Sequence, residues 1–129
     1  MITPKFVLGG KAIFTVSNDK GEHFTFKINK HREKDMFFAN VLSGGNGVYS
    51  YMGLFNKNTH IVHKGAKGMS STTKSVKVLE WAMKVVDGKT TLPNGYDIQH
   101  EGMCARCGRP LTDPKSIKSG FGSTCINKI

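Results

Sequence analysis

The three cysteines of this 129-residue chain constrain its fold most, because all of them lie in the last 26 residues. They are Cys104, Cys107 and Cys125, spaced as Cys-x2-Cys-x17-Cys. An odd number excludes a complete set of disulfides, and clustered thiols without an export signal favour a metal site. A glycine-rich segment of this length also has too few apolar residues to fold on its own core. The sequence therefore predicts a metal-stapled C-terminal segment.

The predicted ion is one structural Zn²⁺, with His100 completing the ligand set of Cys104, Cys107 and Cys125. Three thiolates and one imidazole form a standard closed tetrahedral zinc set, which leaves no position for an activated water. His60 and His63 are rival fourth ligands, although a solvent-facing place in a basic surface is the simpler prediction for both. Two other interpretations stay open: a redox-active Cys-x-x-Cys pair, and thiols with no common role.

The rest of the chain predicts an α+β fold. Alternating apolar residues predict strands, separated by Asn/Gly turns typical of antiparallel hairpins. Apolar residues then recur at helical spacing, with Thr72 or Thr73 as the N-cap, Gly88 after the last turn, and Glu80 and Lys84 as an i,i+4 pair. The predicted strands are 11–16, 22–28, 36–42, 48–55 and, more weakly, 59–64, and the predicted helix is 72–87.

These elements predict an antiparallel sheet of four or five strands with one packed helix. A Pro/Asn/Gly-rich connection at 89–96 marks a boundary. We therefore predict a β-rich domain over 1–90. Residues 91–129 are predicted to be a linker and a small module of the zinc-ribbon or treble-clef-like type.

The C-terminal segment resembles a short zinc module of phage and prophage proteins. The residues that carry the resemblance are Cys104-Ala-Arg-Cys107-Gly-Arg-Pro-Leu-Thr-Asp-Pro-Lys-Ser-Ile117 and Gly120-Phe-Gly-Ser-Thr-Cys125. Ser123 departs from the proline common in that module, and Lys115 stands where an acidic residue is common. The resemblance implies a zinc-bound tail and a phage or mobile-element origin. It implies no activity, because the module has no assigned function.

Charge points to a polyanionic partner. The chain has 19 Lys+Arg against 9 Asp+Glu, a formal net charge of +10, and no acidic residue between Asp35 and Glu80. Lysine and arginine bind phosphates and release counterions, so DNA or RNA is the predicted partner. Tyr49 and Tyr51 could add base stacking if they lie on an open sheet face, but alternation alone leaves the register undecided. The predicted phosphate contacts are Lys27, Lys30, Arg32, Lys57, Lys64, Lys67, Lys74, Arg106, Arg109 and Lys118.

No catalytic motif is present. There is no Walker loop, no Gly-x-Ser-x-Gly and no His-Glu-x-x-His, and Gly44-Gly-Asn-Gly47 is better explained as a hairpin turn than as a phosphate cradle. The sequence therefore predicts a non-enzymatic protein of the bacterial cytoplasm, with no membrane span and no signal peptide. The alternative is a phage host-interaction or anti-defence protein that binds an acidic host protein. In a third interpretation the tail only stabilises the fold.

Overall fold

The structure is a computed structural model that describes residues 2–129. It is an α+β fold in which every strand pairing is antiparallel. The elements, in chain order, are α1 (Pro4–Val7), β1 (Lys11–Asn18), β2 (His23–Lys30), β3 (Phe37–Leu42), β4 (Tyr49–Phe55), β5 (Val62–His63), α2 (Lys74–Val86), β6 (Tyr96–His100), α3 (Pro114–Ser119) and a 3₁₀ helix (Cys125–Lys128).

The sheet has six strands in the order β5-β4-β3-β2-β1-β6. The first five form a meander, which confirms the predicted hairpins. The sixth strand, β6, was not predicted. It pairs with β1 along Phe14↔His100 to Asn18↔Tyr96. It lies beyond the predicted boundary at 90/91, so the sheet itself crosses that position.

A β-bulge in β4 sets which side chains face the helix. Ala39 pairs with Gly53 and Asn40 pairs with Tyr51, so Met52 has no partner across the ladder. Gly53 has φ +150° and a Cβ there would lie 2.5 Å from the His63 carbonyl oxygen, so only glycine fits. Because two consecutive residues, Met52 and Gly53, take the core side, both Tyr51 and Leu54 face the other side.

Helix α2 covers one face of the sheet. Thr73 is its N-cap and Gly88 follows it with φ +76°, as predicted. Its apolar stripe packs on inward-facing strand residues, and the fully buried large side chains include Phe14, Phe26, Ile28, Met52, Leu79 and Met83. No helix of residues 2–129 packs on the opposite face of the sheet, which is called the open face below.

Helix α2 also makes polar contacts that the sequence did not predict. Glu80 is not paired with Lys84; its Oε2 accepts a hydrogen bond from the Val62 backbone N–H at 2.8 Å. Asp87 Oδ2 lies 2.6 Å from His60 Nδ1. Both carboxylates therefore fasten the helix to the β4–β5 side of the sheet, whereas Trp81 contacts Tyr96 at the β6 edge.

The C-terminal module shares the core of the sheet. Cys104, Ala105, Phe121 and Cys125 belong to the same buried cluster as the sheet residues. Helix α1 joins the two parts: Phe6 contacts His100 at 5.6 Å and Phe121 at 6.2 Å between ring centroids. Among residues 2–129, no helix is long and apolar enough to cross a membrane.

Candidate metal centre and sheet surface

The three predicted thiol ligands converge in the structure. The Sγ atoms of Cys104, Cys107 and Cys125 all lie within 4.8 Å of one another. Three sulfurs around one tetrahedral zinc would stand about 3.8 Å apart, given Zn–S bonds of about 2.3 Å. The three sulfurs would need to move only slightly closer together to bind one ion in that geometry. The cluster can hold a metal ion, which confirms the coarser part of the sequence prediction.

A tight turn presents the first two thiols. The Gly108 N–H donates to the Cys104 carbonyl at 2.9 Å, and the Cys104 N–H donates to the Arg109 carbonyl at 2.8 Å. Met103 and Pro110 form a bridge that closes this turn. The third thiol begins the 3₁₀ helix at Cys125. The chain therefore brings the third ligand back from a separate element, across the 17 residues after Cys107.

The backbone favours a thiolate at Cys104. Its Sγ accepts hydrogen bonds from three N–H groups, those of Gly122 at 3.3 Å, Arg106 at 3.4 Å and Cys107 at 3.5 Å. Burial raises the pKa of the Cys104 thiol, but the bonds from Cys107, Gly122 and Arg106 outweigh it and lower the pKa from 9.0 to about 6. A thiolate is the form that binds metal. Three N–H donors around one sulfur stabilise the thiolate more than the neutral thiol, which favours a metal ligand over an inert buried thiol.

Cys125 has a different environment. The Arg106 guanidinium donates to its Sγ from Nη1 at 3.8 Å, which lowers the pKa of the Cys125 thiol. Burial and the neighbouring thiols of Cys107 and Cys104 raise it more, so the net direction is upward. Three sulfurs this close cannot all ionise without a compensating cation. A metal ion would supply that cation.

His100 is not part of the cluster. Its Nδ1 lies 2.9 Å from the Gly102 N–H and its Nε2 lies 2.5 Å from the Ile117 carbonyl. Nδ1 can only accept from that N–H, so Nε2 must carry the ring proton and donate to the carbonyl. Neither nitrogen keeps a free lone pair for a metal. The prediction of His100 as fourth ligand is therefore not supported, because the ring instead ties β6 to α3.

The rival histidines are also elsewhere. His60 is buried, stacked on Phe55 at 5.5 Å between centroids, and within 2.6 Å of Asp87, so its predicted solvent-facing position is wrong. His63 is exposed on β5, as predicted. Both belong to the β4–β5 side of the sheet, away from the thiols.

The cavity beside the thiols has one further side chain of a common ligand type. It has a volume of about 410 Å³ and is lined by the three cysteines, Arg106, Arg109 and Asp113, among others. Asp113 is the N-cap of α3, but its carboxylate makes no capping hydrogen bond. Sequence reasoning passed over Asp113, whose exposed carboxylate lines the cavity but lies outside the cluster of ligand atoms formed by the three thiols.

The predicted phosphate contacts do not form one patch. Lys57 pairs with Asp35, and Lys74 pairs with Glu22 at 3.0 Å, so both charges are partly neutralised. Arg106 and Arg109 line the thiol cavity. The remaining members are scattered over separate elements, with Lys27 and Lys30 on β2, Arg32 in the β2–β3 loop, Lys64 and Lys67 after β5, and Lys118 on α3.

Lys27 has a defined place on the open face. Its Nζ lies 5.7 Å from the centre of the Tyr49 ring, a cation–π contact. Tyr49 and Tyr51 also lie on this face, because the bulge places Met52 in the core. Alternation in the sequence did not decide which face of the sheet Tyr49 and Tyr51 occupy. The burial of Met52 at the bulge decides that both lie on the open face. Phe38, which pairs with Leu54 on the same face, is an aromatic residue that the sequence analysis missed.

The chain is similar to a known family only over its C-terminal module. Residues 97–129 match DUF6011, a family of unknown function. This segment contains all of β6 except its first residue, the three cysteines, α3 and the 3₁₀ helix. Neither a curated protein nor a solved structure matches the chain.

Proposed function

We propose that this protein is a non-enzymatic nucleic-acid-binding protein that contacts phosphates with basic side chains and uses one structural Zn²⁺ in its C-terminal module. The observation that carries the nucleic-acid proposal is a property of the sheet. Strands β2 to β5 contain no Asp or Glu, within a chain of net charge +10. Strands without carboxylates do not repel a polyanion, so the positive charge of the surrounding lysines and arginines acts on phosphates without local opposition.

Zinc is the proposed ion because three thiolates are soft ligands that favour it over magnesium or calcium. Asp113 is the proposed fourth ligand, since carboxylate oxygens bind zinc and it lines the thiol cavity with no capping bond to lose. Four protein ligands would leave no position for a catalytic water. The net charge of such a centre, two negative units, would be balanced by Arg106 and Arg109.

The cellular setting follows from the same residues. Three unpaired thiols are stable in a reducing compartment. Together with the resemblance to a phage and prophage module, they support a phage-type protein in the cytoplasm of a bacterial host.

A second candidate is binding to a host protein. Leu42 and Val48 are exposed by 37% and 56% at the β3–β4 turn, and exposed apolar side chains at a hairpin tip suit a protein contact. We rank this candidate lower because two residues form a small patch.

The test has two arms. Purified protein should contain about one equivalent of zinc, and less than half an equivalent would contradict the site. Labelled DNA and RNA should bind at low salt, with an affinity that falls steeply as salt increases. An absence of binding at low salt, or an affinity indifferent to salt, would refute the phosphate-contact proposal.

A further inference from the structure

Phe38, Tyr51 and Tyr49 lie on the open face of the sheet, and His31 in the β2–β3 loop adds a fourth ring beside them. Phe38 and Tyr51 have ring centroids 6.2 Å apart with an interplanar angle of 59°. His31 extends the row on the far side of Phe38, at 5.9 Å. Tyr49 lies two residues before Tyr51 on the same strand and is contacted by Lys27. The row therefore crosses β3 and β4 and reaches β2.

The row is held in place by the sheet. Phe38 lies opposite Leu54, Asn40 opposite Tyr51, and Leu42 opposite Tyr49. Side chains opposite one another in an antiparallel pair restrict each other's rotamers. Phe38, Tyr49 and Tyr51 are all half-buried, so each keeps part of its ring accessible to solvent.

We infer that this face binds single-stranded nucleic acid by stacking unpaired bases on Phe38, Tyr51 and Tyr49, an inference that rests on the proposed function. Base–aromatic stacking contributes about 1–3 kcal/mol per base and tolerates any sequence, because every base has a π-face. A duplex hides those faces inside its own stack. The chemistry of the row therefore selects single strands.

Polar groups beside the aromatic row suit the edges of such bases. Asn40 Nδ2 donates to Asn29 Oδ1 at 2.8 Å and to the Lys27 carbonyl at 3.3 Å. This pair of amides is therefore fixed in orientation between β2 and β3. In residues 2–129 no hydrogen bond uses Asn40 Oδ1 or Asn29 Nδ2, so one carbonyl oxygen and one NH₂ group are available to a ligand.

The electrostatic attraction of the open face for phosphate is strongest over β2 to β5 and becomes weaker toward β6. Lys27 is at the centre of the face, and the strands around it carry no carboxylate. On β6, Asp97 accepts from the Ile98 N–H and the Gln99 side chain, both at 3.0 Å. The strand path should therefore run over β3 and β4 and avoid β6.

The experiment compares fluorescence anisotropy of the full, zinc-loaded chain with labelled dT15 and with a 15-base-pair duplex. The expected result is at least tenfold tighter binding of the single strand. Phe38→Leu and Tyr51→Leu should each weaken single-strand binding about tenfold, as expected for loss of one stacked base. The salt slope should stay the same, because no phosphate contact is removed.

Two matched variants control for side-chain loss and for folding. Tyr51→Phe keeps the ring and should retain single-strand affinity within about twofold. Tyr96→Leu removes an exposed tyrosine that contacts Trp81 on the helix side, and should leave binding unchanged.

Lys27→Gln tests the phosphate contact instead of the stacking. It should reduce the salt slope by about one unit, since one phosphate contact is lost.

The outcomes separate the two proposals. Binding of wild type with equal affinity for duplex and single strand, and no effect of Phe38→Leu or Tyr51→Leu, would overturn the stacking inference and keep the phosphate-contact proposal. No binding of either probe at low salt would overturn both. A host protein that resists nuclease treatment and is lost with Tyr51→Leu would assign the face to a protein, and would also overturn the inference.

Discussion

The sheet body and the C-terminal module bury their side chains by different means. The body covers one sheet face with α2 and fills the space with large apolar side chains such as Phe26 and Leu79. The module has short elements and, beyond β6, one large, fully buried apolar side chain, Phe121, with three thiols at its centre. A long amphipathic element can stabilise itself by burial, whereas a short glycine-rich one needs a cross-link. The body should therefore fold without metal and the module should not.

The largest expected effect is removal of a thiol. Cys107→Ser should abolish stoichiometric metal binding and unfold the segment from Cys104 to Cys125, because structural zinc supplies on the order of 10 kcal/mol of folding free energy. Hydrogen exchange should show lost protection in the module and retained protection in β2 and β3.

Ser123→Ala is the control for that experiment, since Ser123 lines the same cavity but carries no thiol. Full protection of the module in the Cys107→Ser variant would contradict the proposed role of the metal.

The next effect tests how the two regions are joined. Gly120→Ala should destabilise the protein by about 2–3 kcal/mol, because a Cβ would lie 2.3 Å from Phe6 Cδ2 and the backbone has φ +79°. Gly102→Ala is the matched control: its φ is +81°, but a Cβ there meets nothing within 4 Å. It should cost only about 1 kcal/mol of left-handed strain. Urea unfolding of both variants measures the difference, and equal losses would show that the Phe6 contact adds nothing.

A smaller effect is expected at the proposed fourth ligand. Asp113→Asn should lower zinc affinity about tenfold and change the visible spectrum of the cobalt-substituted protein, while α3 loses no capping hydrogen bond because the Asp113 side chain makes none. Glu33→Gln removes an equal charge from an exposed loop and should change neither reading. An unchanged cobalt spectrum in Asp113→Asn would exclude this residue from the metal.

The smallest effect lies where the body meets the module. Glu101 follows β6, and after burial its carboxylate is what raises the pKa of Tyr49, so its negative charge acts on one of the proposed stacking rings. Glu101→Gln should raise nucleic-acid affinity about twofold, since removing an exposed negative charge near a phosphate path gains less than 1 kcal/mol. Anisotropy at low salt measures this change. Unchanged affinity would place the strand path away from Tyr49.

Local patterns in the sequence were sufficient for most of the body. The N-cap Thr73, the following Gly88 and the alternation of β1 and β2 are short-range signals, and the structure confirms each. The sixth strand escaped prediction because Tyr96–His100 is short and pairs with β1, which lies about 80 residues earlier. Long-range pairing of this kind has no local signature. The bulge at Met52 escaped for a related reason, since it depends on the close approach of His63 to Gly53.

The metal site also has one part that the sequence predicts and one part that only long-range packing decides. The spacing of the cysteines was enough to predict that Cys104, Cys107 and Cys125 converge, because a Cys-x-x-Cys turn and a distant third cysteine have few other uses. The histidine closest in sequence to the cysteines was the natural fourth candidate. Its ring is instead occupied by Gly102 and Ile117, a fact that depends on where α3 packs.

The sequence by itself determined the composition of each part: an alternating body, a basic chain without acids from residue 36 to 79, and three thiols spaced for one ion. The tertiary structure alone decided which groups meet. It aligned Phe38 and Tyr51 on the open face, tied His100 to the backbone and brought Cys125 to the other two thiols. The physical reason is that periodicity and spacing are properties of neighbours along the chain, whereas a surface or a site is made by packing between distant segments.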